Sequence, residues 1–164
     1  MNDTKFETHG NRLIVSRRFN APIDLVWRAW TEAELLDQWW APSPWISRTK
    51  RMDFVEGGNR LYAMCGPDGE EHWGLTIYKS ITPTSGFAGE DCFCDSEGVV
   101  NSELPVATFQ NRFEEHSDTT FVVIITHYAS EQHLQQVIQM GMKEGLVMIY
   151  TNLDKLINQI IDKK

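Results

Sequence analysis

Apolar and polar positions alternate over most of the chain, as expected for strands that bury one face. The first such run, "RLIVSRRF" at Arg12–Phe19, places Leu13, Val15 and Phe19 on one face. The alternation predicts a first strand here. Residues 1–10, which precede it, are expected to be a loosely ordered N-terminus.

Two short helices are predicted after this strand. Pro22 suits the first turn of a helix, and apolar residues follow at helical spacing as far as Trp30. Thr31 and Glu34 have the spacing of a capping box, which predicts that Thr31 caps the second helix. Pro42 ends it, because proline cannot continue a helix.

Turn residues divide the next 80 or so positions into six further strands. Gly, Asn and Asp in "EGGN", "GPDGE" and "DSEG" supply the backbone angles that hairpin turns need. The predicted strands are 46–55, 60–64, 71–81, 86–94, 106–114 and 119–128. Consecutive hairpins indicate an antiparallel sheet, which has seven strands when the first strand is included.

Residues 130–161 carry apolar side chains every three to five positions, which predicts one long helix, hinged near Gly141. The element order is therefore β-α-α-β6-α. This order predicts an α+β fold in which the long helix covers one face of a curved antiparallel sheet, since both apolar surfaces need burial.

Two glycines, Gly141 and Gly145, lie one turn apart on the apolar stripe of this helix. A glycine within a helix costs about 1 kcal/mol relative to alanine, so a compensating role is expected. Two explanations remain open. The helix approaches another backbone closely, or the missing side chains leave room for a ligand beside Met142, Leu146 and Met148.

The stretch "DQWWAPSPW" at residues 37–45 holds three of the six tryptophans. Trp39 and Trp40 are about 100° apart on a helix, so both cannot lie flat on one ligand. The prolines favour a rigid corner over a mobile platform. We predict that Trp40 reaches inward at the edge of a cavity and that Trp45 packs on the sheet.

Length and composition limit the class of protein. A chain of 164 residues fits a single domain, 1–164. A net charge of −8 argues against nucleic-acid binding, which needs clustered Lys and Arg. The start has no apolar segment of the signal-peptide kind, and no run of roughly 18 apolar residues could span a bilayer. A cytoplasmic protein without membrane insertion is therefore expected.

Residues with catalytic or metal-binding potential are scattered. The five histidines show neither HxH nor HExxH spacing, and the three cysteines show no CxxC pair. Motifs for a nucleophile elbow, a phosphate loop or a dinucleotide site are missing. We therefore predict no metal, no cofactor and no catalytic residue. Tyr62, His72, Tyr78 and Asp91 are the polar groups that would serve a reaction if they face inward.

Four segments carry a resemblance to a known family. They are "RRFNAPIDLVWRAWTEAELLDQWWAP" at 17–42, "MDFVEGGNRLYAMCGPDGEEHWG" at 52–74, "FCDSEG" at 93–98 and "GMKEGLVMIYTNLDKL" at 141–156. The chain resembles the START-like (SRPBCC) superfamily, and within it the family similar to the C-terminal domain of the heat-shock-protein-90 ATPase activator. The resemblance implies a helix-grip fold, a seven-stranded sheet gripping the C-terminal helix, and a cavity between them. The chain departs from its relatives at Leu146, where many have Trp.

Thirteen residues are predicted to line such a cavity. On the strand 71–81, bulk favours an inward face with Trp73 and Leu75 over one with His72, Thr76 and Tyr78. The predicted lining residues are Trp40, Phe54, Tyr62, Met64, Trp73, Leu75, Phe93, Phe109, Phe113, Met142, Gly145, Leu146 and Met148.

Three functional hypotheses follow. The leading one is a non-catalytic cytoplasmic module that binds a small hydrophobic or amphipathic molecule, such as a lipid, a polyketide or an aromatic compound. The second is a chaperone-cofactor-like domain whose partner is a chaperone, with a role in the stress response. The third is an enzyme similar to polyketide cyclases or hydrolases. The sequence leaves open whether the protein is a monomer or a homodimer.

Overall fold

The structure is a computed structural model that describes residues 3–163. Its centre is an antiparallel sheet of eight strands in the order β1-β2-β8-β7-β6-β5-β4-β3. The strands are β1 (Lys5–His9), β2 (Arg12–Phe19), β3 (Ile46–Met52), β4 (Asn59–Cys65), β5 (Glu71–Thr82), β6 (Gly86–Phe93), β7 (Ala107–His116) and β8 (Thr119–His127). The helices are α1 (Ile23–Thr31), α2 (Ala33–Leu36), α3 (Glu131–Gln139) and α4 (Met142–Asp162). The predicted α+β helix-grip fold is confirmed.

The sheet has one strand more than predicted. β1 pairs antiparallel with β2, with Phe6 opposite Val15, in a segment that was expected to be loosely ordered. The sequence "KFETH" contains a single large apolar residue, so it lacks the alternation of a half-buried strand. Because β1 lies at the edge of the sheet, backbone hydrogen bonds to β2 hold it, and these leave no pattern in the sequence.

The C-terminal segment forms two helices instead of one. Ser130 caps α3, and its side chain accepts a hydrogen bond of 3.0 Å from the backbone N–H of His133. The chain turns at Gly141, which has a φ of 94°. This left-handed conformation is accessible to glycine and strained for other residues. The predicted hinge is therefore a helix boundary, and Gly141 is needed for its backbone angle.

The predicted capping box at Thr31 is wrong. Thr31 is the last residue of α1, and its hydroxyl donates to the carbonyl of Trp27 at 2.9 Å. Glu32, in an extended conformation, precedes α2 and makes no side-chain cap. The hydroxyl bonds back into its own helix, which is the common alternative for a threonine within a helix.

The main core lies between the sheet and the helices, and an aromatic cluster occupies one end of it. Trp30 on α1 is at the centre of this cluster. Its ring centroid is 5.6 Å from that of Phe19, 4.7 Å from Trp39 and 5.4 Å from Phe113. The indole N–H of Trp39 donates to the carbonyl of Ala29 at 3.0 Å, which satisfies the only polar group of a ring that is 1% exposed.

An ion pair ties α4 to the sheet. Both terminal nitrogens of Arg17 on β2 donate to the Asp154 carboxylate on α4. The guanidinium also lies 4.6 Å from the centroid of the Phe19 ring. Arg17 is 7% exposed, so removal of Asp154 would leave a buried charge without its partner.

A second, smaller apolar cluster lies on the opposite face of the sheet. Leu61, Leu75 and Cys92 are buried there, and Trp73 and Ile77 pack against them. The turn around Gly98 lies close to Leu61. This half of the sheet therefore buries apolar side chains on the face that points away from the helices as well.

The two glycines of the C-terminal segment should respond oppositely to alanine. Gly141→Ala forces a side chain into the left-handed region, so we expect a loss of about 1–2 kcal/mol in the free energy of unfolding. Gly145→Ala places a methyl group where no atom lies within 4 Å, within a regular helix. We expect a gain of about 1 kcal/mol there. Urea denaturation measures both; a loss at Gly145, or no loss at Gly141, would contradict the assigned roles.

Candidate ligand cavity

A cavity of about 370 Å³ separates the helix-bearing face of the sheet from the helices. Its wall is built from β2, β4, β5, β6, β7 and β8 on one side, and from α1, α2, α3 and α4 on the other. The volume lies within the usual range for small-molecule sites in proteins. Most of the wall is apolar, and a small number of polar groups interrupt it.

Eight of the predicted lining residues are in the cavity wall. They are Trp40, Tyr62, Met64, Trp73, Phe93, Phe109, Met142 and Leu146. Trp40 follows α2, and its ring lies against that of the buried Trp39, at a centroid distance of 5.3 Å. One tryptophan of the pair is thus in the core and the other at the cavity. Trp45 packs on His72 of β5, with 5.4 Å between ring centroids.

Two predicted lining residues belong to the aromatic core instead. Phe54 packs against Tyr78 and Phe87, at 4.8 and 5.2 Å between ring centroids. Phe113 packs against Trp27 and Trp30, at 5.2 and 5.4 Å. The indole rings of α1 fill this end of the space between sheet and helix, so neither phenylalanine is in the cavity wall.

Leu75 is buried on the opposite face of the sheet, which corrects the predicted orientation of β5. His72, Gly74, Thr76 and Tyr78 are the β5 residues that alternate along the cavity face. Bulk is a poor guide here because the outer face carries an apolar cluster of its own. Trp73 belongs to the outer apolar cluster and also forms part of the cavity wall.

Gly145 and Met148 do not line the cavity. Within the described part of the chain, no atom beyond the surrounding turns of its own helix lies within 4 Å of the position that a Cβ of Gly145 would occupy, and Met148 is 42% exposed. Met142, Leu146 and Tyr150, each four residues apart, form the inward row of α4. Gly145 and Met148 lie beside this row, so neither explanation proposed for Gly145 from the sequence describes its surroundings.

A glycine marks the inward face of β5 in the sequence. Gly74 pairs with Tyr62 of β4, and a Cβ at Gly74 would lie 2.9 Å from the Tyr62 ring. The tyrosine ring occupies the space that a side chain on β5 would need. A glycine inside a strand commonly marks such a close approach, and this signal points to the orientation that bulk obscured.

The structure brings all four reaction-capable residues named from the sequence to the cavity. Tyr62, His72, Tyr78 and Asp91 are in its wall. Burial raises the pKa of both phenols above the ordinary value, so they remain neutral hydrogen-bonding groups at physiological pH.

Arg60, which sequence reasoning did not place in the site, is a polar wall residue only 2% exposed. Its guanidinium donates to the hydroxyls of Ser47 at 2.9 Å and Thr49 at 3.1 Å, and lies 3.4 Å from the Asp37 carboxylate. Its central carbon is 4.1 Å from the centroid of the Tyr62 ring. The charge of Arg60 is therefore matched by that of Asp37 and covered by an aromatic face.

Asp91 on β6 is the carboxylate of the cavity wall. The hydroxyl of Thr76, its register partner on β5, donates to it at 2.8 Å. Burial raises the pKa of Asp91 to about 6, although the Thr76 hydrogen bond and the charge of Arg60 both act to lower it. Among residues 3–163, no Lys, Arg or His nitrogen lies within 4.0 Å of this carboxylate.

The described residues offer no cluster of three or more His, Cys, Asp or Glu side chains that could hold a metal ion. Over the same range, no helix is both long and apolar enough to cross a membrane. The cavity wall thus provides apolar contact, hydrogen bonding, the imidazoles of His72 and His133, and the Asp91 carboxyl group, whose pKa is about 6.

Comparison with known proteins identifies the family. Residues 20–158 match the family model described as "Activator of Hsp90 ATPase homolog 1-like protein". The chain belongs to this family. Its assignment agrees with the START-like resemblance seen in the four sequence segments. No curated protein matches the chain.

Solved structures of similar proteins share the fold over almost the whole chain. A protein of Mycobacterium smegmatis is 30% identical, with a TM-score of 0.83 and coverage of 94% of both chains. One of Staphylococcus epidermidis is 28% identical, with a TM-score of 0.87 and coverage of 94% of both. One of Arthrobacter aurescens is 26% identical, with a TM-score of 0.86, and the match covers 94% of this chain and 91% of that one.

The raised pKa of Asp91 predicts how its removal changes stability with pH. The ordinary carboxyl pKa of 3.8 applies in the unfolded chain, and that in the fold is about 6. The folded protein therefore binds this proton more tightly, so ionisation of Asp91 destabilises the fold above about pH 6 and has no effect below about pH 4. We expect Asp91→Asn to be more stable than wild type by roughly 2 to 3 kcal/mol near pH 8.

This advantage should shrink as the pH falls through 6 and disappear near 4, as measured by urea denaturation across pH. Glu90→Gln is the matched control, because Glu90 pairs with Lys79 at 3.1 Å and is not in the cavity wall. A difference between Asp91→Asn and wild type that is independent of pH would contradict the account.

Proposed function

We propose that the chain is a non-catalytic binding module for a small hydrophobic or amphipathic molecule, held in the cavity between the sheet and the helices. The observation that carries the proposal is the cavity of about 370 Å³. Protein cores are normally packed to the density of organic crystals, and unfilled apolar volume lowers stability. A cavity of this size in a domain of this size therefore points to an occupant.

The walls favour an apolar body with a flat or flexible shape. Trp40, Tyr62, Trp73, Phe93 and Phe109 present aromatic surface to the cavity. Aromatic side chains give large contact areas for burial and accept edge-to-face or stacked partners. Met64 and Met142 add adaptable surface, which suits ligands of varied shape.

Catalysis is the alternative that Asp91 favours. A carboxyl group with a pKa near 6 can transfer protons close to neutral pH. Among residues 3–163 its one side-chain partner is the Thr76 hydroxyl. Nucleophilic catalysis normally needs both a base and a third group that orients the base. Mass spectrometry separates the two functions: a binding module releases its ligand unchanged, whereas an enzyme releases a product.

A chaperone partner is the second alternative, and the description of the family favours it. The family is named for an activator of the heat-shock-protein-90 ATPase. The ATPase rate of the chaperone, measured with and without this chain, separates the alternatives. A ligand-binding module leaves the rate unchanged, and a cofactor raises it.

Filling the cavity should abolish binding without unfolding the protein. Leu146 projects from α4 into the cavity, whereas the next residue, Val147, is 45% exposed. We expect Leu146→Trp to weaken the binding of phenylhexanol about tenfold or more, because the indole occupies the ligand's volume. Isothermal titration calorimetry measures the affinity, and circular dichroism verifies the fold.

Val147→Trp is the matched control, since it adds the same side chain outside the cavity. It should bind phenylhexanol as the wild type does. Equal weakening in the two variants would show that the effect does not arise from cavity volume, and the proposed site would be wrong.

A further inference from the structure

Asp91 is a charged group in a cavity wall that is otherwise mostly apolar. Asp91 is partly buried, and each step that removes water from a carboxylate is costly unless an opposite charge or several hydrogen bonds compensate it. Within residues 3–163 the Asp91 side chain receives one hydrogen bond, from Thr76 to Oδ1 at 2.8 Å, and no cation lies within 4.0 Å. The fold therefore offsets only part of the free-energy cost of removing water from the Asp91 carboxylate.

The nearby guanidinium does not supply the missing charge. Arg60 directs Nε to Thr49, and its Nη2 to Ser47 and Asp37. Asp37 also accepts hydrogen bonds from the backbone N–H and the hydroxyl of Thr49, at 3.0 and 2.7 Å. The charge of Arg60 is thus paired with that of Asp37, and its Nε and Nη2 are engaged. Asp37 and Asp91 carry two negative charges when both are ionised, and Arg60 carries one positive charge. The charge of Asp91 therefore has no partner among the described residues of this part of the site.

Aromatic residues lie close to Asp91 along the strands of the cavity wall. On β6, Phe93 lies two residues from Asp91 and on the same side of the strand. On β5, Tyr78 lies two residues from Thr76, also facing the cavity. The negative face of an aromatic ring attracts a cation, most strongly where water is excluded.

We propose that the ligand of this cavity carries a protonated amine, which pairs with Asp91 while its apolar body packs on the aromatic walls. The inference rests on the proposed binding function and adds a chemical class to it. Asp91 is then a recognition residue, and a cationic amphipathic molecule is preferred over a neutral or an anionic one of the same shape.

Other head groups fit less well. A carboxylate ligand would face Asp91, and its natural partner, Arg60, has Nε and Nη2 already engaged. An alcohol could donate one hydrogen bond to Asp91, but it would leave the charge of the carboxylate uncompensated. An ammonium group supplies both the charge and the donors.

Three probes that differ only in the head group test the proposal: phenylhexylamine, phenylhexanol and phenylhexanoate. Calorimetry at about pH 8 keeps Asp91 ionised, and an alkyl amine, like lysine, stays protonated. We expect the wild-type chain to bind the amine about tenfold or more tightly than the alcohol, and the carboxylate most weakly. Asp91→Asn should bind the amine and the alcohol about equally, with its affinity for the alcohol unchanged.

Glu90→Gln is the control for overall charge. It removes one negative charge from the neighbouring position, outside the cavity wall, and should keep the preference for the amine. Equal affinities for amine and alcohol in the wild type, or a preference that persists in Asp91→Asn, would overturn the amine assignment and leave the binding function standing. If none of the three probes binds, both the assignment and the binding function fail.

Discussion

The packing of α1 and α4 around Trp30 is the constraint on which the rest of the structure depends. Trp30 contacts Phe19 on β2, Phe113 on β7 and Tyr150 on α4, with ring centroids between 5.4 and 6.3 Å apart. Aromatic pairs of this kind contribute about 0.5–1.5 kcal/mol each beyond the burial of their area. They hold one end of the sheet and the helices together.

The cavity follows from where this contact ends. The buried residues of α4 begin at Ile149 and end at Ile157, all in its middle turns. The first turns of the helix, which begin after the break at Gly141, hold no buried residue and pass over the open end with Met142 and Leu146 facing inward. Because α4 is buried in the core only from Ile149 onward, a space remains between its first turns and strands β4, β5 and β6.

Two features that lower stability coincide in this space. The unfilled volume forgoes packing contacts, and Asp91 places a carboxylate where burial disfavours its charge. Sequences depart from the rules of good packing mainly where function requires it. Their coincidence in one place supports the proposal that the departures serve a single purpose, ligand recognition.

Much of the fold is predictable from the sequence, because alternation and turn residues both report local structure. The six strands from β3 to β8 follow the predicted bounds, differing by at most three residues, as at the end of β3, Met52. The alternation of apolar and polar residues misleads where it does not report which face of a strand is buried against the helices. β1 is a polar edge strand held by its backbone. The orientation of β5 misleads because its bulkier apolar residues lie on the outer face, in the second cluster.

The candidate site is less predictable, because it depends on contacts between distant segments. Strand or helix phase placed Tyr62 on β4 and Leu146 on α4 correctly, whereas Met148 on α4 lies outside the cavity. Arg60 and Thr76 went unrecognised, since nothing local distinguishes them from other polar strand residues. Gly145 looked functional because a glycine inside a helix lowers stability, yet its surroundings are open space.

The methionine methyl groups provide the most direct measurement of the central claim that the cavity takes up a ligand. Met64 and Met142 line the cavity, whereas Met140 and Met148 are 84% and 42% exposed outside it. In an NMR titration of methyl-labelled protein with phenylhexanol, the account predicts saturable shifts at Met64 and Met142, and none of comparable size at Met140 and Met148. Shifts confined to the exposed pair, or none at all, would contradict it.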